Sequence, residues 1–250
     1  MRVHVINLAR SPERLASFLA VNTLAEVSVA RAIDGASLDL ADLERRGLIG
    51  ANLVHPDYYS MGGVGLALSH AALWDLAIQN GQTVTVAEDD AILHASFDAL
   101  APEVLNSLPD DADLILWGFN FDLFACFEML PGASICLAQF EQDRLRASIP
   151  TFQSSLICPQ AFRLTWAFGT LCYSVTPQGA RNLRKRCLPL RPMTIPLPEA
   201  ARAPPFASTY RAVGIDNTMA AHYRDLKAFV CFPPLAVSKN EIERSTVRPL

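Results

Sequence analysis

The stretch Thr83–Asp90, which reads TVTVAEDD, decides the fold prediction. Its first five residues are β-branched or small and predict a short buried strand. Three acidic residues, Glu88, Asp89 and Asp90, follow that strand directly. Predicted strands and helices alternate along the chain, which is typical of a mixed, mostly parallel sheet with helices on both faces. Ligands of such sheets bind at the carboxyl ends of the strands, so a site is expected at these acids.

Segments on both sides of this stretch complete the alternation. Ser11-Pro12 and Thr176-Pro177 each place a capping residue before a proline, and this pattern predicts a helix start. We therefore expect an α/β fold with a single domain over residues 1–250. Apolar periodicity and turn residues predict strands at 2–8, 27–33, 83–87, 113–118, 169–175 and 228–232, helices from 12, at 38–46, at 66–79 and at 177–187, a glycine-rich break at 61–65 and a proline-rich loop at 186–205.

Composition narrows the function classes. Hydrophobic residues make up 51% and charged residues 18% of the 250 residues, as in globular proteins. The net charge of −4 argues against a nucleic-acid partner, because phosphate recognition needs a basic surface. The six cysteines contain no C-x-x-C pair and the five histidines are scattered, so a structural zinc site is not expected. The thiols are expected to be buried or half-buried.

The sequence predicts a cytoplasmic protein. The mean hydropathy of +0.21 is high, but no apolar run is expected to reach the roughly 18 residues that span a bilayer. The most apolar stretch, Leu114–Leu130, is interrupted by Asn120, Asp122 and Glu128, and no signal-peptide core is recognisable around Glu13. We expect this stretch and the proline-rich loop either to rest on the inner face of the cytoplasmic membrane or to belong to the core.

The three acids at the strand end indicate a cation site. Adjacent carboxylates repel one another unless a cation or solvent compensates their charge. Mg²⁺ or Mn²⁺ typically uses one or two carboxylates together with phosphate oxygens and waters. Strand alternation directs Glu88 and Asp90 to one side and Asp89 to the other. A solvated acidic turn explains the same residues equally well.

The glycine-rich segment Met61–Gly65 is a candidate phosphate cradle at a helix N-terminus. It has neither the dinucleotide fingerprint nor the P-loop pattern, so enzymes of those two classes are disfavoured. The chain also has no G-x-S-x-G elbow for a nucleophilic hydrolase.

Seven short motifs occur in an informative order. They are INLARSPER at 6–14, AIDG at 32–35, GLALSHAALW at 65–74, AEDD at 87–90, GTLCYSVTPQGARNL at 169–183, GID at 214–216 and FPPL at 232–235. In this order and spacing they resemble glycosyltransferase family 25, the bacterial lipooligosaccharide galactosyltransferases that are related to collagen galactosyltransferases. Leu66 and Ala87 depart from the family's usual cysteine and leucine. Residues 119–165 and 186–205 match nothing in the pattern, and the acceptor is expected to be selected there.

The resemblance implies a GT-A-like domain, a nucleotide-sugar donor (typically UDP-galactose), a divalent metal such as Mn²⁺ or Mg²⁺, and inversion at the anomeric carbon. It implies that Asp90 holds the metal, with Glu88 and Asp89 beside it. His222 is a candidate for a further ligand, because it is the only histidine in the C-terminal half of the sequence. Asp216 is the expected base, although a helix N-cap explains that residue equally well. The residues expected around the nucleotide are Asn7, Leu8, Arg10, Arg14, Asp34, Ser69, His70, Glu88 and Asp89. Arg10 and Arg14 could instead close off the helix surface, and a place in the core is the default interpretation for His70, which lies in an apolar helical stripe.

The expected acceptor is a saccharide or a lipid-linked glycan, as in the synthesis of bacterial lipopolysaccharide. The aromatic residues Tyr58, Tyr59, Trp166 and Phe168 are candidates for stacking on sugar rings, and the core is the alternative place for them. Three other functions fit part of the pattern. They are a catalytically inactive nucleotide-sugar-binding protein of the same fold, a metal-dependent nucleotidyltransferase or phosphohydrolase, and a structural interaction module.

Overall fold

A mixed β-sheet is the centre of the computed structural model, which describes residues 1–199 and 208–239. The strands are β1 (Arg2–Asn7), β2 (Glu26–Arg31), β3 (Val84–Glu88), β4 (Ile92–Leu93), β5 (Leu114–Gly118), β6 (Phe124–Leu130), β7 (Ser134–Gln139), β8 (Gln160–Trp166), β9 (Cys172–Val175), β10 (Thr194–Pro196), β11 (Thr209–Arg211), β12 (Ala228–Phe232) and β13 (Ala236–Val237). The helices are α1 (Pro12–Val21), α2 (Leu40–Arg45), α3 (Met61–Asn80), α4 (Phe97–Asn106), α5 (Gln142–Ala147), α6 (Ile149–Ser154), α7 (Pro177–Cys187) and α8 (Ile215–Ala220).

The main sheet has the order β2-β1-β3-β9-β5-β12-β8-β6-β7 within the described residues. Strand β1 pairs in parallel with β2 and β3, and β12 pairs in parallel with β5. Strand β9 runs antiparallel between β3 and β5, and β8, β6 and β7 continue the sheet in antiparallel fashion. Six of these nine strands therefore run in one direction, and their carboxyl ends share one edge of the sheet.

Helices cover both faces of the sheet, as expected. Tyr173 and Ser174 are neighbours on β9, and their side chains point to opposite faces. The Tyr173 hydroxyl accepts a hydrogen bond from Trp74 of α3. Ser174 accepts one from Trp117, whose ring packs edge-on against Phe97 of α4. The predicted α/β class with a mixed sheet and helices on both faces is confirmed, and one continuous apolar core surrounds the sheet.

The glycine-rich segment is not a break. Helix α3 begins at Met61, and the Ser60 side chain caps it by accepting a hydrogen bond from the Gly63 amide at 3.0 Å. A Cβ on Gly65 would lie 2.4 Å from the carbonyl oxygen of Ile33. The glycines therefore let α3 approach the backbone that follows β2, and this packing explains a composition that favoured a loop.

Helix α3 is also long and apolar enough to cross a membrane by length and composition, with 20 residues and a mean hydropathy of 1.3. The expectation that no segment reaches this length is therefore wrong for the described residues. However, 61% of its most apolar window is buried inside the protein, between the sheet and α7. Packing in the core accounts for its composition.

Residues 119–165, which resemble nothing in the family pattern, mainly extend the sheet through β6, β7 and β8. The apolar stretch Leu114–Leu130 therefore forms β5 and β6, and its first part lies in the core. The proline-rich segment contains the short strand β10, which pairs with β11. Its residues 200–205 lie outside the described residues. Among the thiols, Cys158 is exposed, contrary to expectation.

Candidate active site

A cavity of about 990 Å³ lies at the carboxyl edge of the sheet. The ends of β1, β3 and β5, the residues that precede β9 and the beginning of α8 surround it. Seven residues that the sequence singled out line this cavity: Leu8, Arg10, Arg14, Glu88, Asp89, Asp90 and Asp216. Residues from both ends of the chain therefore converge on the acidic turn after β3.

Asp89 makes its hydrogen bonds to the protein. Its Oδ1 accepts a hydrogen bond from Arg14 Nε at 2.7 Å and a second one from Arg14 Nη2. Its Oδ2 accepts a hydrogen bond from Asn7 Nδ2 at 2.7 Å, and the same amide group donates to the Ser11 carbonyl. Charge-assisted bonds of this kind neutralise and orient the carboxylate. The structure thus places Asn7 and Arg14 around Asp89, and Asn7 does not line the cavity.

Glu88 and Asp90 form an acidic pair at the cavity wall. Glu88 Oε1 accepts a hydrogen bond from Thr170 Oγ1 at 2.6 Å, and Asp90 Oδ2 accepts one from Ser238 Oγ at 3.1 Å. Burial raises the pKa of Glu88 to about 8, and the charge of Asp90 contributes to this rise. Burial also raises the pKa of Asp90, while the charge of Arg14 opposes the rise. Two carboxylates that disfavour each other's charge are a suitable site for a cation.

Asp216 is oriented toward the same cavity by backbone and side-chain hydrogen bonds. Its Oδ2 accepts hydrogen bonds from the Gly169 amide at 3.0 Å and from Asn217 Nδ2 at 3.2 Å. The N-cap of α8 is Gly214, so the alternative that Asp216 caps this helix does not hold. Gly169 has a φ of +96°, and a Cβ there would lie 2.5 Å from the Asn120 amide nitrogen. This position therefore requires glycine.

Arg10 lies at the cavity wall, and its Nε donates to Asp34 Oδ2 at 2.9 Å. Asp34 does not line the cavity. Its other carboxylate oxygen accepts a hydrogen bond from the Ala36 amide, and this bond, together with Arg10, holds the pKa of Asp34 below its usual value. Both arginines of the cavity wall within the described residues, Arg10 and Arg14, are thus paired with carboxylates.

Ser69 and His70 are buried beside the cavity and do not line it. Ser69 Oγ accepts a hydrogen bond from the Ile33 amide at 2.8 Å and donates to the Gly65 carbonyl, so it fixes α3 to the end of β2. His70 Nδ1 lies 3.0 Å from the Tyr173 hydroxyl. The structure therefore places both residues in the protein interior and not where a nucleotide would contact them.

His222 also lies outside the cavity. Its half-buried side chain is close to Arg186 and Asp225, and burial together with Arg186 lowers its pKa. The position expected for a further metal ligand therefore does not join Glu88 and Asp90. Within residues 1–199 and 208–239, no group of three or more His, Cys, Asp or Glu side chains is arranged to hold a metal ion by itself.

Several aromatic residues form the rest of the wall. Phe168 packs 4.9 Å from Tyr210, measured between ring centroids, and Tyr58 is half-buried at the cavity wall. Tyr59 is buried, and its hydroxyl pairs with Thr218 at 2.5 Å. Trp166 does not line the cavity, because its ring stacks on Phe124 in the core. Phe168 lines the cavity but is only 2% exposed, so Tyr58 is the aromatic candidate that is both at the wall and partly exposed.

Sequence reasoning missed Thr170 and Ser238, which hydrogen-bond to the acidic pair. Thr170 follows the glycine that opens the 169–183 motif, and Ser238 follows the FPPL motif by three residues. Thr170 therefore lies within a motif that the sequence singled out and Ser238 lies close to another, so membership of those motifs or proximity to them was the available signal. A hydroxyl has no sequence pattern that shows it faces a carboxylate.

Comparison with known proteins gives the class of this protein, a glycosyltransferase that uses a nucleotide-sugar donor, and its family. The model described as glycosyltransferase family 25 (LPS biosynthesis protein) matches residues 1–197, and the chain belongs to that family. Comparison with the curated proteins gives no match. Mouse xyloside xylosyltransferase 1, solved in its apo form, is similar to the chain at 12% identity and a TM-score of 0.36, over 94% of this chain and 70% of that one.

Proposed function

We propose that this protein is a metal-dependent, inverting hexosyltransferase that moves galactose from UDP-galactose to a saccharide or lipid-linked glycan. The observation that carries the proposal is the Glu88–Asp90 pair at the wall of a 990 Å³ cavity. A cavity of this volume is in the range that small-molecule ligands fill. Membership of family 25 supplies the reaction class.

The charges of the cavity support a requirement for a divalent cation. A UDP-sugar brings a negatively charged diphosphate, and the described wall already carries five carboxylates, those of Glu88, Asp89, Asp90, Asp122 and Asp216. Arg10 and Arg14, the arginines of that wall, are already paired with acids. Glu88 and Asp90 fit the role of holding Mn²⁺ or Mg²⁺, whose other ligands are phosphate oxygens and waters. The bound ion supplies Lewis-acid stabilisation of the departing diphosphate.

Asp216 is the proposed base. Hydrogen bonds from Gly169 and Asn217 fix its carboxylate at the cavity wall. From this position Asp216 would remove the proton of the acceptor hydroxyl while that oxygen attacks the anomeric carbon from the face opposite the diphosphate. Attack from that face gives inversion.

The remaining wall residues suggest where the substrates lie. We assign the nucleotide to the end of β1, with Leu8 and the Arg10–Asp34 pair. The half-buried ring of Tyr58 at the cavity wall is the proposed apolar face for a sugar. Of the segment 119–165, residues 119–123 line the cavity and are the proposed acceptor contacts, whereas β6, β7 and β8 belong to the sheet.

We also propose that the protein acts in the cytoplasm at the inner face of the membrane. Met129 and Leu130 at the end of β6 are 50% and 61% exposed, and Ile135 at the start of β7 is 41% exposed. These side chains share one hairpin, so they present a small apolar surface that a lipid-linked acceptor's membrane would cover. Sedimentation with vesicles is expected to weaken when Leu130 is replaced by serine. Unchanged sedimentation of that variant would contradict this membrane contact.

The test of the donor site is a thermal-shift titration with UDP, UDP-galactose and UDP-glucose, each with and without Mn²⁺. The wild type is compared with Asp90→Asn and with Asp110→Asn, a matched change at an exposed turn. We expect stabilisation that needs both nucleotide and Mn²⁺, is largest with UDP-galactose, and is lost only in Asp90→Asn. No shift with any nucleotide would contradict the proposed donor site.

Product analysis separates the remaining alternatives. Incubation of the wild type with UDP-galactose, Mn²⁺ and a panel of acceptor glycans is expected to release UDP. A nucleotidyltransferase or phosphohydrolase would instead release pyrophosphate or phosphate. A catalytically inactive binding protein would show the thermal shift without release of UDP.

A further inference from the structure

A series of buried polar side chains leads from the protein interior to the acidic pair. It contains Trp74 and His70 of α3, Tyr173 of β9, and Glu88 at the end of β3. Trp74 Nε1 lies 2.9 Å from the Tyr173 hydroxyl, and His70 Nδ1 lies 3.0 Å from the same oxygen. Trp74, Tyr173 and His70 are fully buried. Polar groups in such surroundings need partners, so the direction of each bond can be assigned.

The donor and acceptor roles follow from the chemistry of the groups. An indole nitrogen can only donate, so the Tyr173 oxygen accepts the hydrogen of Trp74. Tyr173 keeps its hydrogen, because burial raises its pKa, and donation of that hydrogen to His70 Nδ1 is the arrangement that gives both groups a partner. His70 is fully buried and has no carboxylate within hydrogen-bond distance, so the neutral imidazole is favoured. With Nδ1 accepting, the single N–H of His70 is on Nε2.

The Nε2–H group of His70 is the last member of this series of buried polar groups, and it faces Glu88. His70 Nε2 is fully buried and has no hydrogen-bond partner. It lies 3.8 Å from Glu88 Oε1, which is too far for a hydrogen bond, and a neutral imidazole makes no ion pair with it. A shift of about 1 Å would bring the two atoms to bonding distance. Buried donors in folded proteins usually have a partner, and Glu88 Oε1 is an acceptor that a small shift would supply.

We propose that His70 is a positioning residue for Glu88: when a cation occupies the acidic pair, the Glu88 carboxylate closes onto His70 Nε2–H, and Tyr173 and Trp74 keep that hydrogen on Nε2. This inference rests on the proposed function, because the cation site is part of it. It assigns His70 a role through Glu88 and not through contact with the nucleotide. Hydrogen-bond partners behind metal-ligating carboxylates commonly change metal affinity by about 10–100-fold.

The structure offers a matched pair of variants to test this. Tyr173→Phe removes the hydroxyl that fixes the hydrogen on His70 Nε2 and keeps the ring. Ser174→Ala removes a neighbouring buried hydroxyl on the opposite face of β9, where Ser174 accepts from Trp117 and pairs with Thr85. Each variant removes one buried hydroxyl with two partners. Any loss in the free energy of unfolding that comes from removing a buried hydroxyl should therefore be similar in the two variants.

The readout is the dissociation constant of Mn²⁺ in the presence of UDP, measured by the electron paramagnetic resonance signal of free Mn²⁺. We expect Tyr173→Phe to weaken Mn²⁺ binding about tenfold and Ser174→Ala to leave it within about twofold of the wild type. His70→Gln, which keeps an N–H donor near the Nε2 position, should retain more affinity than His70→Leu. Nitrogen chemical shifts of the His70 ring should show the Nε2–H tautomer in the wild type and its partial loss in Tyr173→Phe.

The outcomes distinguish this inference from the proposed function. A wild type that binds Mn²⁺ with UDP, together with equal affinities for Tyr173→Phe and Ser174→Ala, would overturn the positioning role alone. An Nδ1–H tautomer in the wild type would overturn it as well. A wild type without any Mn²⁺ or UDP binding would overturn the proposed function and, with it, the inference that rests on it.

Discussion

Replacing Glu88 by glutamine is expected to stabilise the metal-free protein at neutral and basic pH. Burial, together with the nearby charge of Asp90, raises the pKa of Glu88 from 4.5 to about 8. Between these values the unfolded chain releases a proton that the folded state retains, so the wild-type stability falls as the pH rises. Glutamine does not titrate, and its amide oxygen can keep the hydrogen bond from Thr170.

The magnitude follows from the size of that shift. At 1.36 kcal/mol per pKa unit, the full shift corresponds to an upper limit of about 5 kcal/mol. The Glu88 side chain is 26% exposed through the cavity, and water there screens part of the charge. We therefore expect Glu88→Gln to be more stable than the wild type by about 1–3 kcal/mol at pH 8 and nearly equal to it at pH 4.5.

Urea unfolding in EDTA at these two pH values and one between them measures the difference. Glu103→Gln, an exposed change of the same kind on α4, is the control and should follow the wild type throughout. Mn²⁺ and UDP, added together in place of EDTA, should reverse the order, because the wild type gains a bound metal and nucleotide that the variant holds poorly. A variant less stable than the wild type at pH 8, or an advantage that does not shrink toward pH 4.5, would refute the reasoning.

Three further predictions concern the residues around the acidic turn. Arg14→Gln should lower the free energy of unfolding by about 2–4 kcal/mol in urea, because it leaves the nearly buried Asp89 without its guanidinium partner; a loss near zero would contradict that pairing. Gly169→Ala should cost about 1–3 kcal/mol by the same measurement and should reduce UDP release, because its positive φ orients the amide toward Asp216. Arg10→Ala should change stability by less than about 1 kcal/mol, since its ion pair is largely exposed, but should raise KM for the UDP-sugar in steady-state kinetics.

The elements that the sequence predicts well are those with local signals. Helix α7 begins after Thr176, whose side chain accepts a hydrogen bond from the Gly179 amide, and a cap followed by proline is visible in the sequence alone. The sequence signals for strand β3 and for the three acids that follow it are equally local. The beginning of α3 was not predictable in this way, because glycines lower helix propensity and only the close backbone of Ile33 explains why they are there.

The strands β6, β7 and β8 could not be predicted from the sequence, for a different reason. In the sheet β6 lies between β8 and β7, so the order of these three strands differs from their order along the chain. Strand β8 also pairs with β12, which lies far away in the sequence. Their alternation is weak, since β7 is an edge strand with several exposed residues. Without the partners, the segment shows no pattern that separates an acceptor loop from an extension of the sheet.

The acidic turn shows most directly why site roles need the structure. Glu88, Asp89 and Asp90 are adjacent in sequence, yet each has different partners. The register that places Ile6 beside Glu88 also brings Asn7 to Asp89, and so one acid is neutralised by residues of the chain's first motif. The other two acids receive hydroxyl groups from distant segments and remain at the cavity wall. The INLARSPER motif is thus explained in part as the support that separates the bonded acid from the two that we propose hold the cation.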